Sequence, residues 1–350
     1  MTPAELRQRL WSVGLHTVLA TAMSSGSSTD ALTAIRARAH PRLAVLLDLL
    51  ALQRAVPVDA VVPHLGEDGL ALLEQRALVQ RIGELVRMDG IRLVNHFGVL
   101  VFVGAPGAFR NGYYGNDSIG LGRVLLGEKG RALDLFASTG AQAMLLANAG
   151  SQVTTVEIDT SLQGLLAFNA EFNQCEERIQ PLWGDARQVP LGDPYDLVCV
   201  NAPLVPSFGV TGLAPGADGG PDGRTLLEQS LYRVPLRPGG RLYFTATMLG
   251  DSTGPKLDWL RALARKRALT VSVVATASRQ LSSKMGDSLI AMLAEASGQD
   301  AAILGPRLQE QWAREDITSI HFCLSIATKT PGTSEVTVTH GIDKGRGWWI

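Results

Sequence analysis

Apolar positions change their spacing near residue 105, and the change separates two kinds of predicted structure. Leu6, Leu10 and Val13 follow the i, i+4, i+7 spacing of an amphipathic helix, and Leu43, Leu46, Leu47 and Leu50 line one face of another. Residues 58–65 and 70–79 have the length and pattern of two further short helices. The alternating segment 91–103, broken at Asn95-His96-Phe97-Gly98, predicts two strands and a turn. Helices followed by a hairpin is the order of a winged-helix module, so residues 1–105 are expected to form a helical, winged-helix-like accessory domain.

After a Gly-rich bridge over 104–122, strand-like runs alternate with helical ones. The runs are 132–136, 152–158, 179–183, 195–200, 241–247, 269–275 and 319–327. This alternation predicts an α/β domain over 106–330, with a mainly parallel sheet covered by helices on both faces. Residues 286–316, between the last two runs, contain enough apolar helix for an inserted lid, and 331–350 are left as a C-terminal tail.

With 350 residues, 46% of them hydrophobic and 19% charged, the chain is long enough for both domains. A net charge of −1 provides no overall field toward nucleic acid or an anionic membrane. Locally, Arg76, Arg81, Arg87 and Arg92 are interleaved with Glu74, Glu84 and Asp89, whereas phosphate binding needs unbalanced positive charge. The N-terminal domain is therefore expected to mediate a homodimer or cover a substrate, with no nucleic acid partner. Residues 11–26 are largely apolar or small, and Ala20-Thr21-Ala22 imitates a cleavage site; His16 and Glu5, with the helical spacing, argue against a signal peptide. No charge-free run reaches bilayer-spanning length. The scattered cysteines Cys175, Cys199 and Cys323 suit reduced thiols, so the expected location is cytoplasmic without membrane association.

The richest segment for chemistry is Asp134-Leu135-Phe136-Ala137-Ser138-Thr139-Gly140, between a buried strand and a helix. In an open α/β sheet the loop at the carboxyl end of the first strand borders the ligand crevice, and small residues there admit a ligand close to the backbone. About 20 residues on, the next strand ends Val156-Glu157-Ile158-Asp159, where Glu157 can accept both hydroxyls of a ribose and Ile158 lies beside it. The third strand is followed by Gly184-Asp185-Ala186, which assigns Asp185 to the amino group of an adenine. Carboxylates in this order on successive strands indicate a nucleoside ligand. A nicotinamide dinucleotide requires a glycine-rich turn for its diphosphate, and here only Gly140 remains. S-adenosylmethionine (SAM) carries no phosphate and tolerates Phe136 and Ser138, so SAM is the expected cofactor.

These residues resemble class I SAM-dependent methyltransferases. Phe168-Asn169-Ala170-Glu171-Phe172-Asn173, Gly219-Gly220-Pro221-Asp222-Gly223 and Leu236-Arg237-Pro238-Gly239-Gly240 are similar to elements of the HemK-type protein-glutamine and ribosomal RNA guanine methyltransferase branch. The resemblance covers roughly 112–275 and implies a seven-stranded Rossmann-like sheet. Where that branch has Asn-Pro-Pro-Tyr, this chain has Asn201-Ala202-Pro203-Leu204, and where it usually has glycine, Phe136 and Ser138 stand. In those enzymes the motif implies a planar nitrogen acceptor, its NH2 group bonded to the Asn side-chain oxygen and the next carbonyl; this places catalysis at Asn201, Ala202 and Pro203, with Asn201 also beside the donor. Pro203 keeps residue 202 out of helical torsions. Leu204 removes the aromatic face on which a nucleobase would stack, worth roughly 1–3 kcal/mol.

The expected activity is therefore N-methylation of an amide-like or amino nitrogen in a small molecule or peptide, of the kind found in specialised metabolism. Methylation of a release-factor glutamine or a ribosomal RNA base is the second possibility, and a SAM-binding, DNA-reading regulator the third. Tyr113, Tyr114 and Asp117, preceding the first sheet strand, are placed where a segment can fold over donor and acceptor. The six histidines lack metal-ligand spacing, and His321 in a strand-like run reads as a packed side chain.

Overall fold

A computed structural model of the protein describes residues 1–23, 29–105 and 112–341; part of the expected Gly-rich bridge and most of the second half of the expected tail lie outside the described residues. The chain forms two compact units and passes between them more than once. The first contains Met1–Gly130 and Ala137–Gly184, the second Arg131–Phe136 and Asp185–Ile350.

The first unit opens with α1 (Pro3–Ser12), α2 (Leu15–Met23), α3 (Thr29–Arg36) and α4 (Pro41–Leu46), the last continuing into a π turn at Leu47–Ala51. Thr2 and Glu5 cap α1 reciprocally: the Thr2 hydroxyl accepts from the Glu5 amide at 3.2 Å and the Glu5 carboxylate from the Thr2 amide at 2.7 Å. Within the π turn the buried Asp48 has its carboxylate held by Arg36, through Nη2 at 2.6 Å, and by Arg54 at 2.8 Å. Next come β1 (Val56–Pro57), α5 (Val58–Leu65), α6 (Glu67–Gln75), β2 (Val79–Ile82) and β3 (Leu85–Met88), the strands in antiparallel order β1-β3-β2.

The helix expected over 70–79 stops at Gln75. Ala77 takes φ +53°, the Leu78 amide returns to the Leu73 carbonyl at 2.9 Å, and Val79 opens a strand. The expected hairpin over 91–103 is present as β4 (Ile91–His96) and β5 (Val99–Gly104), turned through Phe97 and Gly98 at φ +52° and +93°. It is a separate two-stranded sheet, however; the hairpin that follows the helices directly is β2–β3.

The rest of the first unit is α7 (Asn116–Val124), α8 (Ala141–Asn148), β7 (Gln152–Glu157), α9 (Gln163–Phe172) and β8 (Ile179–Trp183), with β7 and β8 parallel. Phe168 and Phe172 of α9 set their rings edge-on to Phe102 of β5, 5.4 and 5.3 Å away, in the same apolar core as Leu6, Leu10 and Leu46.

The second unit is built on β6 (Arg131–Leu135), β9 (Tyr195–Val200), β10 (Leu236–Asp251), β12 (Leu269–Gln280), β13 (Ser319–Lys329) and β14 (Glu335–His340), with a short β11 (Gly254–Pro255) beside β10. Their order is β14-β12-β13-β10-β9-β6. The strands β6, β9 and β10 are mutually parallel, β13 is antiparallel to both its neighbours, and β14 runs parallel to β12. Helices α10 (Thr225–Arg233), α11 (Asp258–Arg267), α12 (Lys284–Ser297) and α13 (Ala301–Arg314) accompany them.

All seven runs read as strands are strands, but two corrections apply to the expected sheet. It is mixed rather than mainly parallel, because β13 returns from the α12–α13 pair and inserts between β10 and β12. The tail adds a further strand, β14, whose six-residue alternation of Val336 and Val338 with threonines was too short and too exposed to read as a core strand. Among the described residues no helix is long and apolar enough to cross a membrane.

Candidate functional site

At the end of β6 the backbone turns through three left-handed residues, Phe136 at φ +60°, Ser138 at +52° and Gly140 at +83°. Only glycine adopts this region without strain, so Phe136 and Ser138 occupy positions whose geometry favours glycine. The loop nevertheless keeps its path because its amides are used internally. Ala137 donates to the Val156 carbonyl at 3.1 Å, Gly140 to the Ala137 carbonyl at 2.8 Å, and Ser138 to the Glu157 carboxylate at 2.8 Å.

Glu157, at the end of β7, is thereby fixed on both oxygens. Its Oε2 accepts from Ser138, and its Oε1 accepts from the amides of Ile158 and Asp159 at 2.8 and 2.9 Å. A carboxylate has about four acceptor directions, so three amides orient the group and leave capacity for a ligand. The neighbouring Ile158 is 60% exposed.

The loop is supported from behind by α9. Asn169, wholly buried, donates to the Thr139 carbonyl at 2.9 Å and exchanges two further bonds of 2.9 Å with the backbone of Phe102 in β5. Asn173, one turn later, donates to the Leu100 carbonyl at 2.8 Å. The Asn-Ala-Glu-Phe-Asn run thus clamps a helix to a hairpin and to the loop at once.

Tyr113 lies against the same loop: its carbonyl accepts from the Ser138 hydroxyl at 3.4 Å, and its own hydroxyl donates to Asp117 at 2.9 Å. Tyr114 points elsewhere, into a buried chain in which its hydroxyl meets His96 Nδ1 at 2.9 Å while His96 Nε2 meets Gln142 at 3.1 Å. Burial pushes His96 down to about 4, and burial also raises the Tyr114 phenol. Asp117 is buried, its Oδ1 also accepting from the Ser118 amide at 2.8 Å.

In the second unit Asp134 of β6 is buried and accepts a 3.3 Å bond from the Cys199 thiol; burial, and then the Asp134 charge, push that thiol well above its usual range. Asp185 is engaged by Arg187, whose Nη2 reaches Oδ2 at 2.7 Å and whose Nε and amide reach Oδ1 at 3.0 and 2.8 Å. These bonds hold the Asp185 carboxyl below its ordinary range, the Arg187 side chain first among the causes. Ala186, beside it, is buried, and its carbonyl accepts from Arg233 at 2.9 Å.

Asn201 follows β9, and its Oδ1 accepts from the buried Thr245 hydroxyl at 2.5 Å. Parallel register explains the meeting: Val200 of β9 faces Phe244 of β10, so the next residue on each strand is Asn201 and Thr245. After Asn201 the chain stays ordered. Ala202 and Leu204 are buried, Pro203 is half-buried, and Ser207 and Phe208 donate to the carbonyls of Gly220 and Pro221 at 2.9 and 3.0 Å. Gly223, at φ +76°, packs on the Leu204 carbonyl where a Cβ would lie 2.9 Å from it, and Thr225 at the start of α10 donates to the Gly219 carbonyl at 2.8 Å. Phe208 continues into the apolar cluster of α12 and α13, edge-on to Trp312 at 5.6 Å.

Within the first unit the structure brings together Ala137, Ser138, Thr139, Gly140, Glu157, Ile158 and Tyr113. Within the second it joins Asn201 to Thr245 and Asp185 to Arg187. Sequence reasoning missed Thr245, Arg187 and the clamping role of Asn169 and Asn173; a threonine directly after the apolar run Leu242-Tyr243-Phe244 was the available signal for the first. His321 is buried between Ser278 at 2.8 Å and the Asp251 carbonyl at 3.0 Å. Among the described residues no group of three or more His, Cys, Asp or Glu is arranged to hold a metal ion.

No protein-family model and no curated protein matches the chain. Among solved structures it is similar to the YcgJ protein from Bacillus subtilis, at 15% identity and a TM-score of 0.38 over 61% of this chain and 99% of that one. It is also similar to the tRNA m1G37 methyltransferase of M. jannaschii, at 13% identity and a TM-score of 0.39 over 70% of this chain and 60% of that one. A third similarity is to the glycopeptide N-methyltransferase MtfA in complex with S-adenosylhomocysteine, at 19% identity and a TM-score of 0.25; it covers 35% of this chain and less than half, 47%, of that one.

Proposed function

We propose that this protein is a SAM-dependent methyltransferase acting on an amide-like or amino nitrogen of a small molecule or peptide. The observation that carries the cofactor is how the loop of residues 137–140 spends its amides. Ala137, Ser138 and Gly140 all donate within the protein, to Val156, Glu157 and Ala137. A dinucleotide's diphosphate needs such amides turned toward it. SAM is a nucleoside without phosphate, and the oriented Glu157 carboxylate beside an exposed Ile158 suits a ribose and the apolar face of a base. On this reading Asp185 accepts from the adenine amino group and the Asp134–Gly140 segment borders the methionine part.

When bound, SAM supplies a methyl group on a sulfonium, ready for in-line displacement by a nucleophile. Asn201 and the Ala202 carbonyl orient the acceptor nitrogen, a contribution of geometry rather than of acid–base chemistry. Thr245 donates to Asn201 Oδ1 and so fixes the orientation in which that amide would meet the acceptor. Leu204, buried at 8% exposure, offers no face for a stacked base, which favours a small or peptide acceptor over RNA. The helical, winged-helix-like N-terminal region, with its balanced charges, is read as a dimer contact or a cover for the acceptor.

Calorimetry tests the cofactor reading. SAM and S-adenosylhomocysteine are expected to bind at one site per chain, and Glu157→Ala to weaken both by roughly 1–3 kcal/mol. Unchanged affinity in that variant, or tight binding of NADH by the wild type, contradicts it. Labelled SAM with fractionated extract then identifies the methylated acceptor.

A further inference from the structure

Arg233, in the last turn of α10, reaches back to the turn that begins at Asp185. Its Nη1 donates to the Ala186 carbonyl at 2.9 Å, and its Nη2 to the carbonyls of Gln188 and Val189 at 3.3 and 3.2 Å. The turn is also closed by its own backbone, since the Gln188 and Val189 amides donate to the Asp185 carbonyl at 2.8 and 2.9 Å. Three carbonyls therefore converge on one guanidinium. The end of α10 that carries Arg233 is itself tied down, because Arg267 of α11 donates to the carbonyls of Leu231 and Tyr232 at 2.6 and 2.7 Å and to that of Val234.

We propose that Arg233 is a positioning residue for nucleoside recognition, fixing the Asp185 turn so that its carboxylate meets the exocyclic amino group of the base. The proposal rests on the reading that Asp185 takes the adenine of SAM. The chemistry requires arginine: a planar fork of donors serves three carbonyls, whereas the compact ammonium of lysine on its flexible stem serves fewer at once. Without the fork the carbonyls turn toward water, and the Asp185 side chain moves with its backbone. Arg187 also reaches α10, but through one exposed bond of 3.5 Å from Nη1 to the Gln229 side chain, against the three backbone carbonyls held by Arg233.

The test compares S-adenosylhomocysteine with S-inosylhomocysteine, in which a keto oxygen replaces the amino group, by calorimetry on the full chain. Wild type is expected to prefer the adenosyl ligand at least tenfold. Arg233→Met is expected to lose about tenfold in affinity for the adenosyl ligand and little for the inosyl one, so the preference collapses; Arg233→Lys falls between. Asp185→Asn is expected to collapse the preference equally, with no further loss on adding Arg233→Met. A parallel loss for both ligands in Arg233→Lys or Arg233→Met, or an unchanged preference, overturns the proposal by showing a general structural role. Wild type that binds neither ligand refutes the cofactor reading itself, and wild type that binds both equally refutes the Asp185 assignment.

Discussion

Phe136 and Ser138 hold left-handed torsions without being glycine, and each stores about 1–2 kcal/mol of backbone strain. Ser138→Gly removes that strain but adds freedom to the unfolded chain, so a net gain of about 0.5 kcal/mol and a slightly higher melting temperature are expected. A lower melting temperature would mean that the Ser138 side chain contributes more than its 3.4 Å contact to Tyr113 suggests. At Asn201 the expectation concerns turnover. Asn201→Ala should lower kcat by about a hundredfold with little change in SAM affinity, the scale of a misplaced acceptor. Steady-state kinetics on the identified acceptor check this, and full turnover would reduce the Asn-Ala-Pro-Leu motif to a strand terminator. The strand-end positions of Glu157 and Asn201 were legible because Glu157 follows the β-branched run Val153-Thr154-Thr155-Val156 and Asn201 the apolar run Leu197-Val198-Cys199-Val200. Thr245 and Arg187 were not, since their partners are set by strand register and by side-chain reach, which a single sequence does not reveal.

Elements were legible where their period was strong and hidden where it was short. Strands β6 to β10 and the α12–α13 pair follow from apolar runs of ordinary length. The β2–β3 hairpin was missed because β2 buries only Val79 and β3, though it alternates with Val86 and Met88 buried, is four residues long, too short a period to read. One glycine shows how closely elements of the first unit approach. Gly122 of α7 lies against His96, and a Cβ there would collide with the imidazole and come within 2.9 Å of Phe97. Gly122→Ala must displace a ring bonded on both nitrogens, to Tyr114 and Gln142, so helix propensity does not rescue it. A loss of about 1–3 kcal/mol is expected, read from a urea midpoint. An unchanged midpoint would show that α7 can slide away from the hairpin.

For the whole molecule, buried histidine makes stability depend on pH above the carboxylate range. His96 titrates near 6.5 when unfolded and at about 4 when folded, because burial penalises its charged form. Its contribution is therefore complete above pH 6.5 and is lost as pH falls toward 4, about 3 kcal/mol in all. His321 is lowered in the same direction, again chiefly by burial. Denaturation at pH 7 and pH 4.5 should show the difference, and His96→Gln should flatten it; a profile that stays flat in the wild type down to pH 4.5 contradicts the buried neutral imidazole.

The route of the chain through its two units bears on how the protein is made and cut. The first unit is not finished when residue 105, or even 130, has left the ribosome, since α8, β7, α9 and β8 complete it only at Gly184. Until then Phe102 lacks Phe168 and Phe172, and the β5 backbone lacks Asn169 and Asn173. A nascent or excised fragment ending near 105 thus carries a bare aromatic surface and a hairpin without its clamp, the features that recruit chaperones and proteases and drive aggregation. Any assay for DNA binding by the N-terminal helices therefore belongs on the whole chain, where stickiness of an unfinished core cannot pass for recognition.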